Sequence, residues 1–179
     1  FLKAGHYAMS CDLLPCDSNE SGDHYQGDVR DILDQGWDLM IAHPPCTHLA
    51  VSGAAWFKYK QKEQAEALDF VQRLMDAPIE KICIENPVSV ISTRIRKPDQ
   101  IIQPYQFGHM EQKKTCLWLK NLPKLVETDN VYDAMMELPK RERERMHYLP
   151  PSADRWKLRS KTFDGIAKAM AQQWGAQNV

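Results

Sequence analysis

Cys46 is the residue whose type and position most favour covalent chemistry. It follows Pro44 and Pro45, directly after an apolar run at residues 37–42 that is typical of a buried strand. Proline cannot continue a β-ladder, so the chain leaves the sheet rigidly there and holds the thiol at the rim of a pocket. An isolated cysteine is more often a small core residue. The two prolines and the strand-end position favour a nucleophile instead.

Glu85 is the residue best suited to acid catalysis. It comes directly after a second apolar run, residues 81–84, and is followed by Asn86-Pro87, which predicts a stiff turn. A partly buried glutamate has a raised pKa and can carry a proton near neutral pH. The simpler alternative is a glutamate that caps the following turn. The two apolar runs predict that Glu85 and Cys46 lie at the ends of adjacent parallel strands and face one cleft.

The elements that must position these residues alternate between strands and helices. The periodicity predicts strands at residues 7–11, 37–42, 81–84 and 115–119, a loop at 15–24, helices at 61–76 and 163–174, and a charged helix at 139–146. Such alternation predicts an α/β domain with a mostly parallel sheet. Ligands bind at the carboxyl ends of the strands in such sheets, where Asp12, Cys46 and Glu85 fall.

The composition is that of an ordinary globular chain. The 179 residues are 43% hydrophobic and carry a formal net charge of -1, so any phosphate-binding surface must be a local patch. No apolar run approaches the length of a membrane span, and no membrane association is expected. Five cysteines without paired spacing indicate reduced thiols and predict no metal site. His43 and His48 flank Cys46 and could tune its thiolate.

Two motifs together resemble the cytosine-5 DNA methyltransferases. Residues 38–46 resemble the strand and Pro-Cys nucleophile loop of that family. Ile84-Glu85-Asn86-Pro87 is similar to its Glu-Asn-Val motif, with proline in place of valine. The resemblance implies a catalytic set of Cys46, Glu85 and Asn86. It also implies a lid over residues 47–60 that is mobile and closes over the target base.

Further motifs follow in the family's order, over residues 7–120. Asp12 matches the ribose-binding acid, and Gly27-Asp28-Val29 resembles the turn that contacts adenine. The resemblance therefore implies S-adenosylmethionine as cofactor, bound by Asp12, Asp28, Val29 and Pro44. Ser52-Gly53 resembles the mobile catalytic loop, and Phe107-Gly108 with Gln112 and Lys114 resembles a conserved basic stretch of the family. The nucleic-acid-binding residues expected from the resemblance and from a cationic run at residues 155–161 are Ser52, Gln112, Lys114, Arg155, Lys157, Arg159 and Lys161.

The resemblance implies one catalytic domain over residues 1–179 with a Rossmann-like methyltransferase fold, a mostly parallel sheet and helices on both faces. The glycine-rich cofactor loop would lie before Phe1, so the chain is expected to lack the first strand and that loop. No separate target-recognition domain is expected. Small phage-encoded methylase-like proteins share the Pro-Pro-Cys-Thr pattern, which implies a cytoplasmic location in a bacterial or phage-infected cell. The expected substrate is cytosine in DNA, with RNA and free nucleotides as alternatives.

Two other functions fit parts of the pattern. Amino-methyltransferases acting on adenine N6 or cytosine N4 use a Pro-Pro turn at the same strand end, but an aromatic residue stands where this chain has Cys46. The second alternative is a non-catalytic methyltransferase-like domain that binds nucleic acid or a protein partner. Replacement of the motif's valine by Pro87 favours that alternative.

Overall fold

The computed structural model describes residues 1–16 and 22–175, which form two β-sheets and seven α-helices among them. The first sheet pairs β1 (Met9–Asp12) with β2 (Asp23–Gln26) in parallel. The second contains β3 (Leu39–Ala42), β4 (Lys81–Pro87), β5 (Gln100–Ile102) and β6 (Thr115–Lys120), in the spatial order β3-β4-β6-β5.

The chain is an α/β protein, but the predicted Rossmann-like, mostly parallel sheet is wrong. β3 and β4 are parallel, whereas β6 runs antiparallel to both of its neighbours, β4 and β5. The reason lies in the connection between β5 and β6. A parallel neighbour requires a crossover, usually a helix. Residues 103–114 contain only a short 3-10 helix, Pro104–Gln106, so the chain turns back beside β5. β1 and β2 form a sheet of their own instead of extending the second one.

Two helices are long. α1 (Gln61–Met75) and α7 (Asp164–Trp174) agree closely with the helices predicted at 61–76 and 163–174. The short helices are α2 (Ile91–Arg94), α3 (Tyr132–Met136), α4 (Lys140–Arg143), α5 (Arg145–Tyr148) and α6 (Arg155–Ser160). The single charged helix expected at 139–146 is therefore two short ones, which break at Glu144. 3-10 helices cover Leu2–Ala4, Val29–Asp31 and Val51–Tyr59.

Other strand bounds differ from expectation. β1 begins two residues later than predicted, and β2 and β5 were not predicted at all. Residues 17–21 of the predicted loop lie outside the described residues, and the last part of that loop already belongs to β2. β4 continues through Pro87, so Glu85 lies within the strand and does not terminate it. β6 provides the reason, because it pairs with β4 as far as Pro87.

The hydrophobic core consists of two clusters, one on each face of the second sheet, because successive side chains of a strand point to opposite faces. Ile82 and Ile84 of β4 face a cluster that includes Val71 and Leu74 of α1. Cys83, between them, faces the opposite cluster, which includes buried residues of α7. Because successive strand side chains point to opposite faces, Asn86 shares the face of Ile84 and Glu85 shares the face of Cys83. The two candidate catalytic residues on β4 therefore emerge on opposite sides of the sheet.

Candidate active site

The register of β3 against β4 brings His43 beside Glu85. Ala42 lies opposite Ile84 in the parallel pair, so the next residue on each chain is His43 and Glu85 respectively. The imidazole Nδ1 of His43 is 2.9 Å from Oε2 of Glu85. The predicted adjacency of the two parallel strands is confirmed. Glu85 itself lies opposite Leu117 of β6 and is only 14% exposed.

Asn86 fixes the Pro-Pro turn from the other side of the sheet. Its side-chain Nδ2 donates a hydrogen bond of 2.9 Å to the carbonyl oxygen of Pro44, and the residue is 2% exposed. Pro44 is itself buried. A proline turn held by a buried long-range hydrogen bond has little freedom to move. Asn86 therefore positions the start of the loop that carries Cys46.

Cys46 is exposed at the head of a tight turn. Its carbonyl oxygen accepts hydrogen bonds from the backbone N–H groups of Leu49, at 3.0 Å, and Ala50, at 2.9 Å. Leu49 is completely buried, and Ala50 forms an isolated bridge with Ser89. The first part of the expected mobile lid, residues 47–60, is thus attached to the segment that follows β4. The exposed aromatic rings of that segment, Trp56 and Tyr59, belong to its later 3-10 part.

The expectation of a raised Glu85 pKa is wrong. Burial does raise the pKa of Glu85, but the hydrogen bond from His43 and the positive charges of His43 and Lys113 together bring it below the ordinary value. Glu85 is therefore ionised near neutral pH in the protein without substrate. An ionised carboxylate only accepts hydrogen bonds, so Nδ1 of His43 must be the donor.

Three buried polar atoms without a hydrogen-bond partner lie along the segments that frame the Cys46 turn. They are Nδ1 of His48, Oδ1 of Asn86 and Oγ of Ser89. Ser89 is 3% exposed and is bridged to Ala50, while Asn86 contacts Pro44. An unpaired buried polar atom costs on the order of 1–3 kcal/mol. These atoms offer hydrogen-bonding capacity to a ligand or ordered water at this end of the sheet.

The acids expected to hold a cofactor lie on the two-stranded sheet. Asp12, at the end of β1, is exposed, and its Oδ1 accepts a 2.9 Å hydrogen bond from the N–H of Leu14. Its carbonyl accepts from Gly27 N–H at 2.9 Å, which brings Asp12 next to the Gly27-Asp28 turn. Asp28 caps the 3-10 helix that starts at Val29 and binds Arg30 through both carboxylate oxygens. The hydrogen bonds from the Arg30 side chain and backbone lower the pKa of Asp28 to about 2.

The cationic run expected to bind nucleic acid forms α6, which is contacted by Lys113. Lys113, whose charge acts on Glu85, donates through Nζ to the carbonyl of Arg159 at 2.8 Å and lies 5.8 Å from the ring centre of Phe163. α6 therefore lies next to the segment that precedes β6. Its Trp156 is 59% exposed.

The predicted nucleic-acid contacts differ in their surroundings. Lys157, Arg159 and Lys161 are exposed, Arg155 is half-buried, and Ser52 and Lys114 are exposed. The half-buried Gln112 donates its backbone N–H to Arg143 at 2.6 Å.

Sequence reasoning missed the roles of His43, Lys113 and His109. His43 was expected to act on the Cys46 thiolate, but the structure places its ring against Glu85. The two apolar runs contained the necessary signal. Once Ala42 is aligned with Ile84 in a parallel pair, the next residues, His43 and Glu85, must lie side by side. The Nε2 of His109 accepts the backbone N–H of Gly165 at 2.9 Å, in the first turn of α7.

Neither of two clefts on the surface borders Cys46 or Glu85. One of about 490 Å³ is lined by Arg30 and by residues of α1, and another of about 320 Å³ involves Leu2 and β1. The described residues contain no group of three or more His, Cys, Asp or Glu side chains that could hold a metal ion. No described helix has the length and apolar character needed to cross a membrane.

Comparison with known proteins gives no match. No protein-family model matches the chain, and neither curated proteins nor solved structures show significant similarity to it.

Proposed function

We propose that the chain transfers a methyl group to C5 of cytosine in DNA through a covalent adduct with Cys46. The observation that carries the proposal is the joining of the Pro-Pro-Cys turn to β4. His43 contacts Glu85 on one side of the sheet, and Asn86 contacts Pro44 on the other. An exposed thiol and a largely buried carboxyl group are thereby held at the same ends of two adjacent parallel strands.

The chemistry requires a nucleophile and an acid that both reach one cytosine ring. C5 of cytosine is too weakly nucleophilic to accept a methyl group directly. Attack of the Cys46 thiolate on C6 forms an Sγ–C6 bond and moves the ring electrons towards C5 and N3. A proton delivered to N3 by Glu85 offsets the charge that develops there. After methylation water takes the C5 proton, the electrons of the C–H bond re-form the C5=C6 double bond, and Cys46 departs as thiolate with the electrons of the Sγ–C6 bond.

The cofactor assigned to this reaction is S-adenosylmethionine, which when bound supplies an electrophilic methyl group. Asp12 fits it, because an exposed carboxylate at a strand end can accept hydrogen bonds from ribose hydroxyls. Asp28 fits less well, since Arg30 engages both of its oxygens. A contact with the adenine amino group would require Arg30 to move aside. Val29 would contribute apolar contact, whereas Pro44 is buried and would have to be uncovered to do so.

DNA is favoured as the substrate by the cationic surface that Lys113 joins to α6. α6 carries the exposed Trp156 together with Arg155, Lys157 and Arg159, and cations combined with an exposed aromatic ring suit phosphates and unstacked bases. In duplex DNA the target base would have to be flipped out to reach Cys46. Trp56 and Tyr59, exposed after the Cys46 turn, could contact the displaced base.

The test is covalent trapping with DNA that contains 5-fluorocytosine. Fluorine at C5 cannot leave as a proton, so the adduct accumulates and its mass identifies the cysteine. Cys46→Ser should give no adduct and reduce turnover by about 10⁴-fold or more, because a serine hydroxyl is a far weaker nucleophile. Cys16→Ser is the matched control, since Cys16 is also exposed. Glu85→Gln should reduce the rate by roughly 10²–10⁴-fold while leaving cofactor affinity intact.

The outcomes separate the candidate functions. Near-normal methylation by Cys46→Ser would exclude attack on C6 and favour an amino-methyltransferase. Binding of DNA or cofactor by the wild-type chain without adduct or turnover would favour the non-catalytic function.

A further inference from the structure

We infer that the acid of this site is a hydrogen-bonded pair. His43 holds the proton and passes it through Glu85 to N3 of the cytosine. The inference rests on the proposed cytosine chemistry and adds to it the source of the proton. It concerns His43, which lies within the resembling stretch but to which the resemblance assigns no catalytic role.

A second group is needed to supply the proton, because Glu85 is ionised. Protonation of N3 requires a proton on the carboxyl group, yet the surroundings of Glu85 favour its ionised form. Within the described part of the chain, His43 is the residue that hydrogen-bonds the carboxylate, at 2.9 Å. The side chain of His43 is 45% exposed, against 14% for Glu85. The imidazole can therefore exchange protons with solvent, while the carboxyl group stays close to the cytosine.

The other groups that face Glu85 cannot take this role. Lys113 acts on it by charge alone, and its Nζ donates to the Arg159 carbonyl. Burial, together with the charge of Glu85, raises the pKa of the Cys83 thiol, on the same face of β4, well above its usual range. Leu117, opposite Glu85 on β6, is apolar. Histidine is the side chain that ordinarily changes charge near neutral pH, which suits it to a reversible proton transfer.

The proton balance is simple. The pair enters the reaction as imidazolium and carboxylate. As N3 approaches Glu85 and the Sγ–C6 bond forms, the Nδ1 proton moves to the carboxyl group, and one proton passes from Glu85 to N3. His43 is then neutral imidazole, and Glu85 is again a carboxylate. When Cys46 leaves, N3 loses its proton and the pair recovers it, so the pair ends in its starting state, while the proton lost from C5 passes to water.

The experiment compares His43→Asn with the wild type across pH. Asparagine retains an N–H donor for Glu85 but cannot release a proton. The expected result is a loss of roughly 10²-fold in kcat near neutral pH. The remaining activity should shift to lower pH, where Glu85 alone becomes protonated. His147→Asn, on the exposed end of α5, is the matched control and should follow the wild-type profile. Thermal melting verifies that the variants are folded.

A spectroscopic measurement tests the contact without turnover. The ¹⁵N signal of His43 Nδ1 should change in Glu85→Gln, because the carboxylate that accepts its proton at 2.9 Å is replaced by an amide. An Nδ1 signal that is identical in the two proteins would overturn the inference. A wild-type pH profile in His43→Asn would also overturn it and leave only a positioning role. Failure of the proposed function looks different, since the wild-type chain would then form no adduct with 5-fluorocytosine DNA, and the inference would fall with it.

Discussion

Glu85 and Asp12 are both carboxylates near the carboxyl end of a parallel strand, but they are held in different ways. Glu85 is largely buried, and its partner His43 lies 42 positions earlier in the chain, on another strand's extension. Asp12 is exposed, and its carboxylate binds the backbone of Leu14, two residues away. One group is fixed by tertiary structure and the other by a local turn.

The same contrast extends to the neighbouring residues. Asn86 is buried and binds the distant Pro44, whereas Asp28 binds Arg30, two positions along the chain. Buried long-range contacts fix distances between groups, which is what a reaction at two atoms of one ring requires. Local exposed contacts break at little cost, which suits groups that exchange water or a neighbouring side chain for a ligand. We therefore expect substitutions at the first region to affect rate and stability, and those at the second to affect affinity.

Thiol reactivity should give the largest contrast within the first region. Cys46 is exposed, whereas Cys83, two residues before Glu85, is completely buried, and burial raises its thiol pKa well above the usual range. Labelling of native protein by a disulfide reagent should modify Cys46 at least about 10³-fold faster than Cys83. The Cys83 thiol becomes accessible to the reagent only when the core opens. Peptide mass mapping over time provides the measurement, and Cys46→Ser should remove one fast site. Equal labelling rates for the two thiols would mean that β4 does not keep Cys83 buried in the native protein.

The part of this region that could be predicted from sequence is the part set by hydrophobic runs. The apolar residues before Pro44 and before Glu85 correctly indicated two adjacent parallel strands. The same reasoning failed for β2 and β5, because each is short and β2 is polar, so neither carries a run long enough to recognise. It also failed for the direction of β6, which depends on a connection instead of on the strand's own residues.

The electrostatics of the site were harder to predict than its position. Burial alone predicts a raised pKa for Glu85, and the sequence shows no partner next to it. The lowering contributions come from His43 and Lys113, which are brought near by strand register and by the segment before β6. Contacts of this kind depend on tertiary structure, so a motif identifies the acid without giving its charge.

Asn86→Ala tests the fixed region through stability. The change removes the hydrogen bond to Pro44 and leaves a buried carbonyl without its donor, so we expect a loss of roughly 1–3 kcal/mol in the free energy of unfolding. Denaturant unfolding gives the measurement. Gln35→Ala is the control, because Gln35 is exposed in the turn before β3. It should change stability by no more than about 0.5 kcal/mol. Equal effects of the two changes would show that the Pro-Pro turn does not depend on Asn86.

Asp12→Ala gives the smallest expected effect and tests the exposed region. The carboxylate binds only the N–H of Leu14 among its described partners, and that N–H can turn to water when the side chain is removed, so the melting temperature should change little. If Asp12 holds the ribose, loss of one charge-assisted hydrogen bond should weaken S-adenosylmethionine binding by roughly tenfold, corresponding to about 1.5 kcal/mol. Calorimetry at constant pH is the measurement, with the exposed Asp34→Ala as control. The comparison between the two regions predicts a change in affinity without a change in stability. A large loss of stability in Asp12→Ala would show that β1 and β2 depend on this residue for folding, whereas unchanged affinity in a stable variant would remove Asp12 from the cofactor site.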